Sequence, residues 1–226
     1  MSFKFTRDGQ VLTFVFPNAA DLQAAMRRVG AFYEDKSRKG VFVPLDAPEV
    51  TSLCAYYKGY NFPLTNVHAW LDALHAHHVP QDGTALSEEG TAGWQTYCCP
   101  QEAAWLSHLL QVIAEDARER LYIIACAKQQ EKAVLFHEKL HALYYLSPPY
   151  RASVHAIYCE IPPAIQKVIE YDFTMRKYDS AVFEDEFQAY CSENVREFGK
   201  KCVAVCTDAA RQLKEAQAKA WAALSQ

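Results

Sequence analysis

The chain has 226 residues, of which 50% are hydrophobic and 13% aromatic, so it can bury a sizeable core and is not mainly disordered. Its formal charge of -4 and isoelectric point near 6.1 argue against a nucleic-acid partner, because phosphate binding normally requires a basic patch. We also expect no membrane partner. No apolar run approaches the roughly 20 residues of a membrane-spanning helix, and the first residues lack the pattern of a secretory signal.

The eight cysteines form no CxxC motif, and several lie inside apolar segments such as residues 121–127. This pattern is typical of reduced cysteines that pack in a core. Because reduced cysteines indicate a reducing compartment, we predict a soluble, cytoplasmic protein.

The first third of the chain is predicted to alternate between β-structure and helix. In chain order the elements are a hairpin over residues 3–16, a helix over Ala19–Phe32, a short strand at Val41–Val43 and a helix over Thr65–Val79. Asp8-Gly9 is the turn signal within the hairpin, and Asn18 is the expected cap of the first helix.

The segment from Pro80 to Pro100 is rich in Gly, Ser, Thr and Glu and is predicted to be a long surface loop. It is the one plausible internal boundary. We expect a single domain over residues 1–226, in which a small N-terminal subdomain (1–80) and a motif-bearing part (101–226) could be separated by this loop.

The remaining two thirds are predicted to be largely helical around one buried strand. The elements are a helix over Glu102–Arg118, a strand at Leu121–Cys126, a helix from about Gln130 to Leu146, and later helices over Pro163–Glu170, Phe183–Phe198 and about Cys202–Leu224. The prolines at positions 148 and 149 are expected to end the helix that precedes them. The predicted fold class is therefore α+β, mostly helical with a small sheet and an N-terminal β element.

The segment His137-Glu138-Lys139-Leu140-His141 carries the chemistry of the sequence. Histidines four residues apart project from one face of a helix, so both imidazoles can reach one metal ion. Glu138 lies about a third of a turn from His137, where it can contact a water molecule on the metal. Zinc lowers the pKa of such a water to roughly 7, and a carboxylate can take its proton during attack on a carbonyl.

The surroundings of this motif strengthen the metal interpretation. Apolar residues flank it in sequence, so we expect the helix to be buried on nearly all sides, with Lys132 and Lys139 forming its only wet edge. Buried polar side chains need partners, which a metal ion supplies. The strand at Leu121–Cys126 is expected to offer an edge to which an extended substrate can pair.

The segment resembles the zincin metallopeptidases, in which uncharged residues surround HExxH and an apolar residue follows it. Val134, Leu135 and Leu140 fit that pattern, whereas Lys139 places a charge at an inner position that is normally uncharged. The resemblance implies a zinc site with three protein ligands, a zincin-like fold, and hydrolysis of peptide bonds.

The third ligand is inferred from the same resemblance. No HExxHxxGxxH is present, so the chain is closer to the gluzincins, which take a glutamate from a later helix. Asp185-Glu186 resembles the Asn/Asp-Glu pair that supplies this ligand in several gluzincin families, so Glu186 is the first candidate and Glu184 the second. The position four residues later, where the family often has a carboxylate that orients a histidine, is Tyr190 here. The alternative is a solvated acidic first turn of a helix.

Stabilisation of a developing oxyanion needs a hydrogen-bond donor, and Tyr178 is the first candidate for it. Tyr190, Tyr150, Arg151 and His155 also qualify, and the spacing does not separate them.

Two further features have a functional and a structural interpretation. His68, Asp72, His75 and His78 lie at helical spacing and could form a second metal site, but a polar helix face rich in histidine explains them as well. The tyrosine-rich stretch over residues 56–63 could line a substrate groove or form an aromatic cluster beneath a loop.

The leading hypothesis is a zinc-dependent hydrolase, specifically a peptidase that acts on a peptide or protein substrate. His137, His141 and Glu186 would bind Zn²⁺, Glu138 would act as general base, and Tyr178 would assist. One alternative is a catalytically silent binding or regulatory protein on a zincin-like scaffold. Another is a domain in which both histidines are core residues.

Overall fold

The computed structural model describes residues 2–78, 93–114 and 120–224. Its strands are β1 (Lys4–Asp8), β2 (Val11–Phe16), β3 (Gly59–Pro63) and β4 (Tyr122–Ala127). Its helices are α1 (Ala19–Glu34), α2 (Leu64–His78), α3 (Pro100–Ala114), α4 (Glu131–Leu146), α5 (Pro148–Cys159), α6 (Pro163–Met175), α7 (Phe183–Glu193) and α8 (Val203–Leu224). The predicted α+β class, mostly helical with a small sheet, is confirmed.

The chain forms two compact units. The first comprises Met1–Asp8 and Leu12–Glu131, and the second comprises Gly9–Val11 and Lys132–Gln226. The loop predicted over residues 80–100 falls largely outside the described residues, as does the end of the helix predicted to reach Arg118. Across the described ranges, no helix is both long enough and apolar enough to cross a membrane.

A four-stranded sheet with the order β1-β2-β4-β3 organises the first unit. The predicted hairpin is present, and Gly9 adopts a φ of 56° in its turn, a conformation that glycine tolerates without strain. Strand β4 consists of consecutive buried apolar residues, as the apolar run predicted. Helix α1 packs against α2, α3, β3 and β4. Its predicted cap is confirmed, since the Asn18 side chain accepts a 2.9 Å hydrogen bond from the Asp21 backbone N–H.

The strand predicted before the motif helix has no free edge. Strand β4 lies between β2 and β3, and it pairs with β3 antiparallel, from Gly59 opposite Cys126 to Pro63 opposite Tyr122. Because neighbouring strands occupy both sides of β4, the expectation that its edge could bind an extended substrate is wrong.

One further local prediction in the first unit is wrong, whereas the interpretation of the tyrosine-rich stretch as an aromatic cluster is supported, since Tyr60 and Phe62 are buried in the core. The structure has no strand at Val41–Val43, where the Val43 carbonyl accepts a hydrogen bond from the Arg28 side chain. The tyrosine-rich stretch contains strand β3, whose Tyr60 ring packs against α1 at Gly30. A Cβ at Gly30 would lie 2.5 Å from the Tyr60 ring, so the approach of β3 to α1 depends on glycine at this position.

The second unit is built from helices. Helix α8 packs against α5 and α7, which also contact each other, and α6 packs against α7. Aromatic and apolar residues from α4 to α8 form its core, among them Leu143, Tyr150, Phe173, Phe187 and Leu213. Helix α5 was not predicted, because Pro148-Pro149 indicated a stop. Both prolines fit the first turn of α5, and the Ser147 hydroxyl caps it by accepting from the Tyr150 N–H.

Candidate metal centre

Helix α4 presents the two histidines of the motif on one face. His137 and His141 are four residues apart, which places their side chains one helical turn from each other. Their ring centroids lie 4.9 Å apart, and the rings are inclined at 70°. His141 is buried and His137 is half-buried. The predicted helix is confirmed, and it brings both imidazoles to one place.

The expectation that α4 is buried on nearly all sides is wrong for its first half. Lys132, Ala133 and Phe136 are exposed, and Lys139 is half-buried beside them. Burial is concentrated in the second half, at Glu138, Leu140, His141, Ala142, Leu143 and Leu146. Lys139, which departs from the zincin pattern, therefore has access to water and does not place a charge in the core.

Helix α7 brings Glu186 to the two histidines. Oε2 of Glu186 lies 4.0 Å from Nε2 of His137. Within the described ranges, His137, His141 and Glu186 form a group whose potential ligand atoms all lie within 4.8 Å of one another. Glu184, the second candidate, does not belong to this group, because its carboxylate lies 2.9 Å from Nδ1 of His155.

The donor set of this group suits zinc. Two imidazole nitrogens and one carboxylate oxygen are common zinc ligands, and they leave a fourth position for water or substrate. Atoms that each bind zinc at about 2.1 Å in tetrahedral geometry are about 3.4 Å apart, so side-chain shifts of about 1 Å would close the group on the ion. Oε2 of Glu186 is buried and has no hydrogen-bond partner among the described residues. A cation would satisfy this oxygen.

Two carboxylates hold the outer nitrogens of the histidines. Nδ1 of His141 lies 2.9 Å from Oδ1 of Asp185, and Nδ1 of His137 lies 3.1 Å from Oε2 of Glu193. A carboxylate only accepts hydrogen bonds, so each Nδ1 is the donor. Nε2 of the neutral His137 keeps a lone pair, whereas Nε2 of His141 would give up its proton when a metal binds. Such carboxylate–histidine pairs orient the ligands of most zinc sites.

Sequence reasoning missed both of these carboxylates. It looked for such a group four residues after Glu186, where Tyr190 stands, whereas the carboxylates that contact the histidines are Asp185 and Glu193. Glu193 lies seven residues after Glu186, and residues seven apart share one face of a helix. The spacing contained this signal, but its histidine partner lies on a different helix.

Burial sets the charge states of the cluster. Desolvation raises the pKa of Glu186 to about 7; His141 opposes the rise, and the carboxylates of Asp185 and Glu138 add to it. Desolvation lowers the pKa of His137 to about 3, and the charge of His141 adds to this effect. For His141, burial opposes the charged form, but Asp185 and the two glutamates outweigh it and hold the pKa well above 6.5. His137 is therefore a neutral donor, and the surrounding charge is negative, which favours a cation.

The predicted base and the predicted oxyanion donor are in the same region. Glu138 is buried with 8% of its surface exposed, and its charge acts on both His141 and Glu186. The Tyr178 side chain hydrogen-bonds to Glu186, and its hydroxyl lies 3.0 Å from the Tyr190 hydroxyl. The Tyr190 ring in turn packs edge-on against His137, with centroids 4.7 Å apart.

The other donor candidates have different surroundings. The Tyr150 hydroxyl donates to Gln188 and accepts from Gln217, both away from the histidines. Arg151 lies over the Tyr144 ring, and His155 pairs with Glu184. Of the five candidates, Tyr178 contacts Glu186 and Tyr190 contacts His137.

The histidine-rich face of α2 does not form a metal site among the described residues. His68 and Asp72 are exposed, and His78 stacks on the Tyr97 ring with centroids 3.6 Å apart. These contacts fit the interpretation of a polar helix face.

Comparisons of the chain with protein-family models, with curated proteins and with solved structures found no significant match. The function must therefore be inferred from the geometry of the chain's own residues.

Proposed function

We propose that this protein is a zinc-dependent hydrolase that cleaves peptide bonds and has a zincin-like arrangement around α4. The observation that carries the proposal is the convergence of His137, His141 and Glu186, whose ligand atoms lie within 4.8 Å of one another. Among them is the buried, unpartnered Oε2 of Glu186. In this proposal the three side chains hold Zn²⁺, and Asp185 and Glu193 orient the two histidines.

Several features favour zinc over a purely structural role for these side chains. Core histidines normally use both ring nitrogens in hydrogen bonds. Here the carboxylates occupy the Nδ1 atoms, and Nε2 of His137 lies 4.0 Å from Oε2 of Glu186, which is too far for a hydrogen bond. The mixed nitrogen and oxygen donor set favours zinc over magnesium or calcium, which prefer oxygen ligands alone.

Zinc in such a site lowers the pKa of a water molecule to about 7 and polarises the substrate carbonyl. With zinc bound, Glu138 on the motif helix would serve as the general base for this water and would return the proton to the leaving amine. Its burial keeps bulk water away from this transfer. Tyr178 and Tyr190, whose hydroxyls lie 3.0 Å apart, supply O–H donors for charge that develops on the carbonyl oxygen.

The peptide substrate follows from the glutamate between the two histidines and from the tyrosine donors, both suited to attack on an amide carbonyl. Strand β4 does not support the binding of a peptide substrate, since both of its edges are paired within the sheet. A substrate must therefore be held by groups other than the main chain of β4.

The test is the metal content of the full chain, purified without chelator or metal-affinity tag and measured by mass spectrometry. We expect nearly one zinc per chain in the wild type and its loss in His137→Ala and in Glu186→Ala. His155→Ala and Glu184→Ala are matched controls, because this histidine–glutamate pair likewise joins two helices, α5 and α7, but lies outside the group. Both controls should keep zinc.

Folded wild-type protein without zinc would overturn the proposal and leave two core histidines. Bound zinc with no cleavage of a library of quenched fluorescent peptides would favour the alternative, a binding or regulatory protein on the same scaffold.

A further inference from the structure

A chain of hydrogen bonds leads away from Asp185 into the core of the second unit. Nε2 of Gln188 donates to Oδ1 of Asp185 over 3.0 Å, and the Tyr150 hydroxyl donates to Oε1 of Gln188 over 2.7 Å. Nε2 of Gln217 donates to the Tyr150 hydroxyl over 3.1 Å and to the Ser192 hydroxyl over 2.9 Å. The chain therefore links α7, α5 and α8, and His141 joins α4 to it through Asp185.

The interior position of these groups makes the chain unusual. Gln188 has 0% of its surface exposed and Tyr150 has 1%. A glutamine amide buried among apolar helices loses its hydration, so it is retained only where its hydrogen bonds are satisfied. Burial also raises the pKa of Tyr150, so its hydroxyl keeps its proton and remains a donor.

Asp185 determines which group donates and which accepts in every hydrogen bond of this series. A carboxylate accepts only, so the Gln188 amide must turn its nitrogen towards Asp185 and its oxygen towards Tyr150. Tyr150 then has to donate to Gln188 and accept from Gln217. With Gln188 turned the other way, its carbonyl oxygen would face the carboxylate and repel it, and the Tyr150 hydroxyl would lose its acceptor on Gln188.

Oδ1 of Asp185 consequently receives two donors, Nδ1 of His141 at 2.9 Å and Nε2 of Gln188 at 3.0 Å. Gln188 is held at its far end by Tyr150, which restricts the rotation of the carboxylate. The orientation of His141, and the direction in which its Nε2 points, depend on this carboxylate.

Building on the zinc site proposed above, we propose that Gln188, Tyr150 and Gln217 are positioning residues, a hydrogen-bonded chain that fixes Asp185 so that His141 is held ready to bind zinc. The chain contributes to metal affinity by preorganising a ligand, and none of its members touches the metal or the substrate.

The test measures the zinc dissociation constant of the full chain by competition with a chromophoric chelator. Gln188→Met keeps the length of the side chain but removes the donor to Asp185, and we expect about tenfold weaker zinc binding. Tyr150→Phe removes only the hydroxyl and leaves Gln188 in place, so we expect a smaller loss of about threefold. The visible absorption of bound Co²⁺, which reports ligand geometry, should change in both variants.

Tyr158→Phe is the matched control. Tyr158 is a second buried tyrosine on α5, and its hydroxyl donates to Glu170 on α6 rather than into the chain. It should leave the zinc dissociation constant and the Co²⁺ spectrum unchanged. If Gln188→Met does not fold, as shown by circular dichroism, Tyr150→Phe carries the comparison.

A double-variant cycle separates positioning from a general loss of stability. If Gln188 acts through Asp185, Gln188→Met should cause no further loss of zinc affinity in an Asp185→Asn background. The inference is overturned if Gln188→Met and Tyr150→Phe both bind zinc within about twofold of wild type. It is also overturned if Tyr158→Phe weakens binding equally, or if the effect of Gln188→Met is undiminished beside Asp185→Asn. A wild-type chain that binds no zinc overturns the proposed function itself, and this result is visible before any variant is made.

Discussion

Each unit has a buried cluster of charged side chains among its described residues, and the two clusters are organised in opposite ways. In the first unit, Nη1 of Arg28 lies 2.8 Å from Oε2 of Glu102, and both side chains are 1% exposed. The guanidinium also donates to the carbonyls of Val43 and Tyr97. Its centre lies 5.1 Å from the ring centroids of both Phe42 and Trp70. One oxygen of Glu102 and Nη2 of Arg28 have no partner among the described residues, but opposite charges meet directly.

In the second unit the opposite arrangement holds. His137, His141 and Glu186 turn a nitrogen or carboxylate oxygen towards one another, and Nε2 of His137 lies 4.0 Å from Oε2 of Glu186. Their outer atoms are the satisfied ones, through Asp185 and Glu193.

This difference separates a cluster that stabilises the fold from one suited to binding an ion. Opposite charges in direct contact neutralise each other, and removing one of the two lowers the stability of the fold. The second cluster instead leaves a buried oxygen of Glu186 without a hydrogen-bond donor among the described residues, and a bound cation would satisfy it.

Glu138→Gln should have the largest effect and would show that the second cluster serves chemistry. Removing a general base should lower the rate of peptide-library cleavage by about a hundredfold to ten-thousandfold, while zinc content stays at the wild-type level. Glu131→Gln, on the same helix and paired with Lys4, is the control and should change neither quantity. Equal cleavage by wild type and Glu138→Gln would contradict the assigned role.

Arg28→Met should have the next largest effect, and on stability alone. It leaves the Glu102 carboxylate buried without its cation, so we expect the free energy of unfolding to fall by about 3–5 kcal/mol in chemical denaturation. The double variant Arg28→Met/Glu102→Met should recover part of this loss. Zinc bound per folded chain should not change, and a loss of zinc in this variant would break the distinction between the two clusters.

Asp185→Asn tests the cluster of the second unit, as Arg28→Met tests that of the first. An asparagine can turn its NH₂ towards His141 and disfavour the tautomer that keeps Nε2 free, so zinc should bind about 10–100-fold more weakly. The stability of the zinc-free protein should change much less than in Arg28→Met. Chelator competition and chemical denaturation on the same preparation measure both, and unchanged zinc affinity would count against an orienting role.

Glu193→Gln should show the smallest effect. Glu193 contacts His137 in the way that Asp185 contacts His141, but its side chain is 40% exposed against 23% for Asp185. Water can replace much of what Glu193 supplies, so we expect a loss of zinc affinity of less than about tenfold. A larger loss than in Asp185→Asn would reverse the assumed importance of burial.

Local patterns predicted those parts of the fold that local forces determine. Strand β4 followed from its apolar run, and α1 from its Asn18 cap. Strand β3 was missed because glycine, asparagine and proline interrupt it, and its pairing with β4 is what defines it as a strand. Helix α5 was missed because Pro148-Pro149 also fits a first helical turn, which a single sequence does not distinguish from a stop.

In the candidate site, too, local patterns predicted some residues, while others depend on how the helices pack. The spacing of His137 and His141 placed them on one face, and the resemblance to gluzincins singled out Glu186, which lies with them; that these residues bind zinc stays a prediction. Glu193 and Gln188 could not be assigned, because their roles depend on how α4, α5, α7 and α8 pack. A glutamine on the buried face of a helix has no signature in sequence until its partners are known.

The three proposed ligands come from only two helices, His137 and His141 from α4 and Glu186 from α7. An ion held by all three would close a covalent-like ring of about 45 residues that contains α5 and α6, and closing a loop of that length restricts the unfolded chain by about 4 kcal/mol in entropy-based estimates. The ion would thus act as a reversible cross-link between α4 and α7. Proteases that attack the segment between the two helices should find it resistant in the loaded protein and susceptible after chelation, whatever the protein's own substrate is.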